Sequence, residues 1–256
     1  MKTVITVFFL MINFQIYSQN LSISSEVVYE QTISNNDGIL SKEYKLIFNN
    51  QESYYEEVIS KEYKKGQDRK EDGTIVLNIR DNQNPQFYYN SKEKGFYFSQ
   101  IVYNQHLFVK DNFIINWNLS NEIKRINDIK CQKATTKFRG REYVAWFTNK
   151  IPISFGPWKL NGLSGLILEV YDTTGYFRVV AKKIRINLNK NDTIKIPLID
   201  TNKAMSINEF KKQTSKLEAD FISRLNSKLP KGIKPFKIDK NCEDCPKPLE
   251  IFDEEN

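Results

Sequence analysis

The chain has 256 residues, of which 13% are aromatic and 27% charged, and its formal net charge is +7. That length suits one large domain with a substantial core, and the aromatic content favours strands. The lysines are scattered among glutamates instead of gathered in one basic block, which describes a solvated surface and argues against nucleic acid as a partner.

At the N-terminus Met1-Lys2 supplies a positive charge and Val4 to Ile16 an apolar run. Ile16-Tyr17-Ser18 then places a small residue before Gln19. This is the order of a secretory leader, expected over residues 1–18. The run is about 13 residues, shorter than the ~20 that a spanning helix needs. A short buried helix or an uncleaved anchor is the competing reading. No cysteine stands directly after the run, which argues against a lipid anchor, and no later segment is apolar enough to span a bilayer as a helix. The expectation is an exported chain, in the periplasm or cell envelope or secreted, with no transmembrane span once mature. In such a compartment disulfides are the default. The three cysteines are Cys131, Cys242 and Cys245. The pair could be Cys242–Cys245, or Cys131 with either of the others.

Period-2 alternation recurs from residue 25 to about 196, as in Val27 to Tyr29, Tyr44 to Phe48, Ile75 to Ile79 and Phe96 to Ile101. Clusters of Asn, Asp, Gly and Pro punctuate it at residues 35–38, 49–50, 72–73, 84–85 and 94–95, in the manner of hairpin ends. Cys131 to Phe138 alternates, Arg139-Gly140 reverses the chain, and Arg141 to Thr148 alternates with apolar residues on both faces, so that strand should be covered on both sides. Leu166 to Tyr171 is nearly all apolar. It turns at Asp172-Thr173-Thr174-Gly175 into Tyr176 to Leu188. Ser206 and Glu209 then form a capping box, and Phe210, Leu217, Phe221 and Leu225 recur at helical spacing until Pro230 and Gly232. The predicted fold is mainly β (α+β): an antiparallel meander sheet or half-barrel with one C-terminal helix packed on it. Its parts are the leader 1–18, a β domain 19–205, the helix 206–229 and an extended tail 230–256.

Several pieces between Trp117 and Tyr171 stand in a distinctive order. They are Cys131 to Ala134, Phe138-Arg139-Gly140-Arg141, Ala145 to Thr148, Ile151-Pro152, Gly156-Pro157-Trp158 and Gly162-Leu163-Ser164-Gly165-Leu166-Ile167. In these the chain resembles the GLPGLI family, exported proteins known mainly from Bacteroidetes. The resemblance implies export and a β-rich fold, and no catalytic residue follows from it. The motif residues Cys131, Gly140, Arg141, Trp146, Pro152, Gly156, Pro157, Gly162 and Gly165 are read as structural. Where the family motif has proline, this chain has Ser164. A type II turn over Leu163–Leu166 would put Gly165 at the position that needs positive φ. On that reading Ser164→Pro should stabilise the fold by about 0.4–1 kcal/mol.

Catalytic constellations are not visible. Ser164 lacks the G-x-S-x-G spacing, and the single histidine, His106, sits in a strand pattern. Cys242-Glu-Asp-Cys245 has redox-pair spacing but lies in a proline-flanked tail, so a structural disulfide is the better reading. Neither cofactor nor metal is expected. Adjacent aromatics such as Tyr54-Tyr55, Phe87-Tyr88-Tyr89 and Phe96-Tyr97-Phe98 must point to opposite faces. They leave either a second packed layer or a partly open aromatic surface. The function expected is a non-enzymatic module that binds an envelope or outer-membrane protein, a peptide or an apolar ligand. The alternative is a hydrolase of envelope polymers whose site is dispersed in sequence. An outer-membrane barrel fits less well, because both strand faces carry charges.

Overall fold

A computed structural model describes residues 25–35, 38–58, 67–69, 75–77, 85–186, 196–197, 199–232, 234–235, 237 and 249–252. The leader residues 1–18, and Cys242 and Cys245, lie outside the described residues.

The strands in chain order are β1 Ser25–Asn35, β2 Gly38–Phe48, β3 Glu52–Glu57, β4 Gln67–Arg69, β5 Ile75–Leu77, β6 Gln86–Asn90, β7 Gly95–Val102 and β8 Gln105–Lys110. They continue with β9 Asn118–Ile126, β10 Ile129–Phe138, β11 Arg141–Thr148, β12 Leu166–Asp172, β13 Phe177–Arg185 and β14 Met205–Ser206, before helix α1, Ile207–Ser227. Twelve of them form one open sheet in the order β14-β8-β7-β6-β3-β2-β1-β13-β12-β11-β10-β9, and β4 pairs with β5 separately. The described residues are therefore mainly β, with one long helix among them. The half-barrel expectation holds to the extent that the sheet stays open, with β14 and β9 as its two edges. Its pairs are antiparallel except β14, which runs parallel to β8 through Met205↔Val109.

Local chemistry explains the meanders. Tyr103-Asn104, Asn127-Asp128 and Arg139-Gly140 each carry two successive positive φ angles. They join β7 to β8, β9 to β10 and β10 to β11 through two-residue loops, the geometry whose twist matches that of the flanking strands. Asn49 closes the β2–β3 turn by accepting hydrogen bonds from the Gln51 and Glu52 N–H groups, both at 2.8 Å. The two meanders meet where β1 pairs with β13, from Glu26↔Arg185 to Ile33↔Phe177.

Alternation divides the sheet into two faces. On the first, Val27, Tyr29, Leu46, Tyr55, Ile167, Leu168, Val170, Val179, Tyr143, Ala145 and Phe147 are buried. The irregular segment 151–165 lies over them and inserts Phe155, Trp158, Leu160 and Leu163. Each such buried side chain contributes about 1.5–3 kcal/mol. On the same face, Phe96, Phe98, Leu107 and Val109 receive Phe210 and Leu217 of α1. Phe98 meets Phe210 edge-on with ring centroids 5.3 Å apart. Ser206 and Glu209 cap the helix as a reciprocal box.

One expectation fails. Gly165 does not have a left-handed φ, so the type II turn over Leu163–Leu166 is not formed. The positive φ falls instead at Gly162 (+95°), whose N–H donates to the Ser154 carbonyl at 2.9 Å. Gly165 is small because a Cβ there would lie 2.1 Å from the Thr148 carbonyl oxygen. Close approach of two backbones, not turn handedness, is what excludes a side chain.

Candidate functional site: an aromatic pocket on the second face

The second face carries a ladder of directly paired residues: Ile47 opposite Tyr54, Tyr54 opposite Tyr88, and Tyr88 opposite Tyr97. Their strand neighbours Leu46, Tyr55, Phe87 and Phe98 point the other way, into the first core, as period 2 requires. The next rung on the second face is smaller and polar, with Gln86 opposite Ser99 and Ser99 opposite Phe108. Ile196, Ile199 and Ala204 pack over the ladder from the segment before β14. A tyrosine row beside a rung of small side chains, roofed by a short segment, leaves a void. It is a cavity of about 280 Å³ lined by Tyr54, Gln86, Tyr88, Tyr97, Ser99, His106 and Phe108, with Ile199, Asp200 and Lys203 at its mouth.

The walls are apolar and the rim is polar. Tyr97 stacks on Phe108 at 5.9 Å and is tilted against Tyr88 at 6.0 Å. The tyrosine hydroxyls point outward to carboxylates: Tyr54 donates to Glu56 at 2.9 Å, Tyr88 to Glu52 at 2.6 Å and Tyr97 to Glu93 at 3.4 Å. Burial, reinforced by the accepting glutamates, pushes the Tyr54 and Tyr88 phenols well above their ordinary pKa, so both stay neutral. At the mouth, the Lys203 ammonium and the Asn202 N–H hold the Asp200 carboxyl below the usual carboxylate range.

Ser99, His106 and Asp200 share this pocket, which invites comparison with a hydrolytic triad. Their partners point elsewhere. Ser99 Oγ bonds to Gln86 Oε1 at 3.5 Å, and Asp200 pairs with Lys203 at 3.1 Å while capping its own 3₁₀ turn. The nucleophile–base–orienter chain is not assembled. Ser164 lies in the segment over the first face, where its Oγ bonds to Asn149 Oδ1 at 2.9 Å. Among the described residues no group of three or more His, Cys, Asp or Glu side chains could hold a metal ion.

The motif residues read from the sequence lie away from this pocket. Cys131 is a buried free thiol on β10, pushed up to about pKa 11 by burial. Gly140 completes the β10–β11 turn at φ +71°. Arg141 is buried and paired with Asp172 at 2.8 Å. Trp146, on the second face of β11, lies under the Lys124 ammonium at 4.4 Å from its ring centre. Pro152 is exposed, whereas Gly156 and Pro157 are buried in the segment that covers the first face. A Cβ at Gly156 would sit 2.4 Å from the Leu160 carbonyl oxygen. Gly162 faces Trp117, whose indole N–H donates to Asn161 O at 2.8 Å.

Sequence reasoning missed the buried charges Asp111 and Lys159, which pair at 2.9 Å. The signal was present: Lys159 stands between Trp158 and Leu160 in an otherwise apolar stretch, where a solvated lysine would be out of place.

A family model described as "Protein of unknown function (Porph_ging)" matches residues 137–169, from the end of β10 to the middle of β12. No curated protein matches the chain. Among solved structures, PNGF-II in two crystal forms superposes with a TM-score of 0.52 at 17% and 18% identity. The match covers 76% of this chain and 33% of the PNGF-II chain, so this chain spans about a third of PNGF-II and the likeness is one of fold. An uncharacterized conserved protein from Thermus thermophilus superposes more loosely, with a TM-score of 0.36 at 10% identity over 73% of this chain and 92% of that one. No helix among the described residues is long and apolar enough to cross a membrane.

Proposed function

We propose that this chain is an exported, non-enzymatic binding module of the cell envelope whose second sheet face takes up a small apolar ligand. In this reading residues 1–18 are a cleaved leader, 19–205 the β scaffold, 206–229 the helix that packs on it and 230–256 an extended tail. Cys242 and Cys245 are a structural disulfide within that tail. The leader pattern and the resemblance to GLPGLI proteins support export.

The observation that carries the binding reading is the roughly 280 Å³ cavity walled by Tyr54, Tyr88, Tyr97 and Phe108. It is near the lower end of ligand sites, about 300–1,000 Å³, and suits a small, flat, apolar molecule. Rings fixed by cross-strand stacking offer a preformed surface, so little ordering cost is incurred on binding. Titration of the intact protein with N-phenyl-1-naphthylamine should show saturable one-to-one fluorescence enhancement. Ser99→Phe, which projects a ring into the cavity, should weaken it at least tenfold while leaving the circular dichroism spectrum unchanged. Non-saturable enhancement, or an unaffected Ser99→Phe variant, would reject the pocket as a ligand site.

A further inference from the structure

A cluster of buried charges lies beneath the β10–β11 turn, on the opposite side of the sheet from the aromatic pocket. Asp111 is fully buried and accepts from Lys159 at 2.9 Å and from Arg139 Nη2 at 2.6 Å. Lys159 is only 1% exposed, and its ammonium sits 3.9 Å from the centre of the Phe98 ring. The scaffold here offers two cations, Lys159 and Arg139, against the one carboxylate of Asp111. A buried excess of positive charge is strongly unfavourable unless another anion joins it.

Residues 249–252 supply that anion. Glu250 accepts from Lys159 Nζ through both carboxylate oxygens at 2.8 Å, and its Oε1 lies 3.6 Å from Arg139 Nε. That Nε is buried and makes no hydrogen bond in this arrangement. The main chain on either side of Glu250 is read as well. Arg141 Nε donates to Leu249 O at 3.1 Å, and the Ile251 N–H donates to Arg139 O at 3.0 Å. Gly140 leaves room for Ile251, whose Cβ would lie 2.7 Å from a Cβ at position 140. Phe252 is held between two cations, Arg139 at 4.6 Å and Lys211 of α1 at 4.5 Å from its ring centre.

We propose that this groove is a recognition site for an extended peptide of the form apolar–Glu–apolar–aromatic from a partner polypeptide, and that Leu249–Phe252 is its resident occupant in cis. Each element of the form has a counterpart on the scaffold: a cation pair for the carboxylate, a donor and an acceptor for the main chain, a missing Cβ for the apolar side chain and a cation clamp for the ring. The resident segment is open on one side: Ile251 remains 38% exposed. Among the described residues the segment and the turn share one backbone-to-backbone hydrogen bond, so its hold rests mainly on the side chains of Glu250 and Phe252. An incoming segment that brings its own carboxylate can replace it without leaving Lys159 uncompensated.

The test uses the full chain with the resident segment disabled by Glu250→Lys and Ile251→Asp together. The probe is a fluorescein-labelled peptide with the sequence of residues 246–253. Fluorescence anisotropy should show saturable binding to this variant, at least tenfold tighter than to the wild-type chain, where the resident segment competes. A probe with Gln in place of Glu250 should bind at least tenfold more weakly, a comparison that needs no further change to the protein. Gly140→Val added to the disabled chain should abolish binding. Equal binding of the Glu and Gln probes, or no binding by a disabled chain that retains its circular dichroism, would overturn the proposal. A wild-type dimer in native mass spectrometry that falls to monomer in the disabled chain would also overturn it, in favour of exchange of the segment between copies.

Discussion

Gly165 meets the backbone of Thr148 and Asn149 so closely that a Cβ would sit 2.1, 2.5 and 2.9 Å from three main-chain atoms. Backbone cannot rotate away as a flexible side chain can. Gly165→Ala should therefore cost about 3 kcal/mol or more, read as a fall in melting temperature of roughly 6 °C or more. A change within two degrees would show that the segment 151–165 can lift off the sheet at no cost. Ser164, by contrast, is exposed and holds Asn149. With no type II turn to pre-set, Ser164→Pro forfeits that bond without the gain expected from the sequence. Cys131 illustrates burial acting on chemistry. Its thiol, at a pKa of about 11, stays protonated at neutral pH, and the reactive thiolate is scarce. Iodoacetamide at pH 7.5 should leave the Cys131 tryptic peptide unmodified in the native protein and label it after denaturation. Native-state labelling would contradict the packing of β10.

Among elements, Glu169 is a cross-link. It stands on β12 and pairs with Lys124 of β9 and, at 2.8 Å, with Arg178 of β13. Burial alone would raise its pKa, but the hydrogen bonds from Lys124 and Arg178 outweigh burial and hold it below the ordinary glutamate value. A carboxyl depressed in the folded state contributes stability that is present above the unfolded-state pKa, about 4.3, and lost as pH falls through the folded value. Melting temperature should thus decline below about pH 4.3, and Glu169→Gln should flatten that decline. Parallel curves for the two proteins would assign the acid sensitivity elsewhere. Helix α1 shows how an element outgrows its support. Phe210 and Leu217 are buried, whereas Phe221 and Leu225, on the same sequence stripe, are 38% and 37% exposed. A helix of 21 residues is about 30 Å long, and it packs by β8 and β14 at the sheet edge. Phe221 stacks on the ring of Tyr103 in the β7–β8 turn, at 4.7 Å.

At the scale of the whole molecule, one open sheet serves two cores. The first face is closed by the segment 151–165 and α1, and the second, along β2, β3, β6, β7 and β8, by the short stretch around Ile196–Ala204. The thinner cover leaves the aromatic pocket. The proposed export makes a compartment-level prediction: expressed with its own N-terminus in a host with an outer membrane, the protein should fractionate with periplasm or envelope. Its mass should then correspond to a chain starting at Gln19. A cytoplasmic protein with residues 1–18 intact would refute both the leader and the disulfide reading of Cys242 and Cys245.

What was legible from the residues alone is local. Period-2 patterning marked the β10–β11 and β12–β13 hairpins, it set Tyr54, Tyr88 and Tyr97 opposite their neighbours, and Ser206 with Glu209 marked the helix start. Each of these rests on the alternation of side chains along a strand or on bonds between groups a few residues apart, so a short window of sequence contains the cause. The pairing of β1 with β13, more than 140 positions apart, does not. Neither does the reason for Gly165, nor the meeting of Asp111, Lys159 and Glu250. Alternation states which side of a strand is buried but not what covers it. The cover comes from segments such as 151–165 and 199–204, which carry no strand period and take their shape from the surfaces they seal.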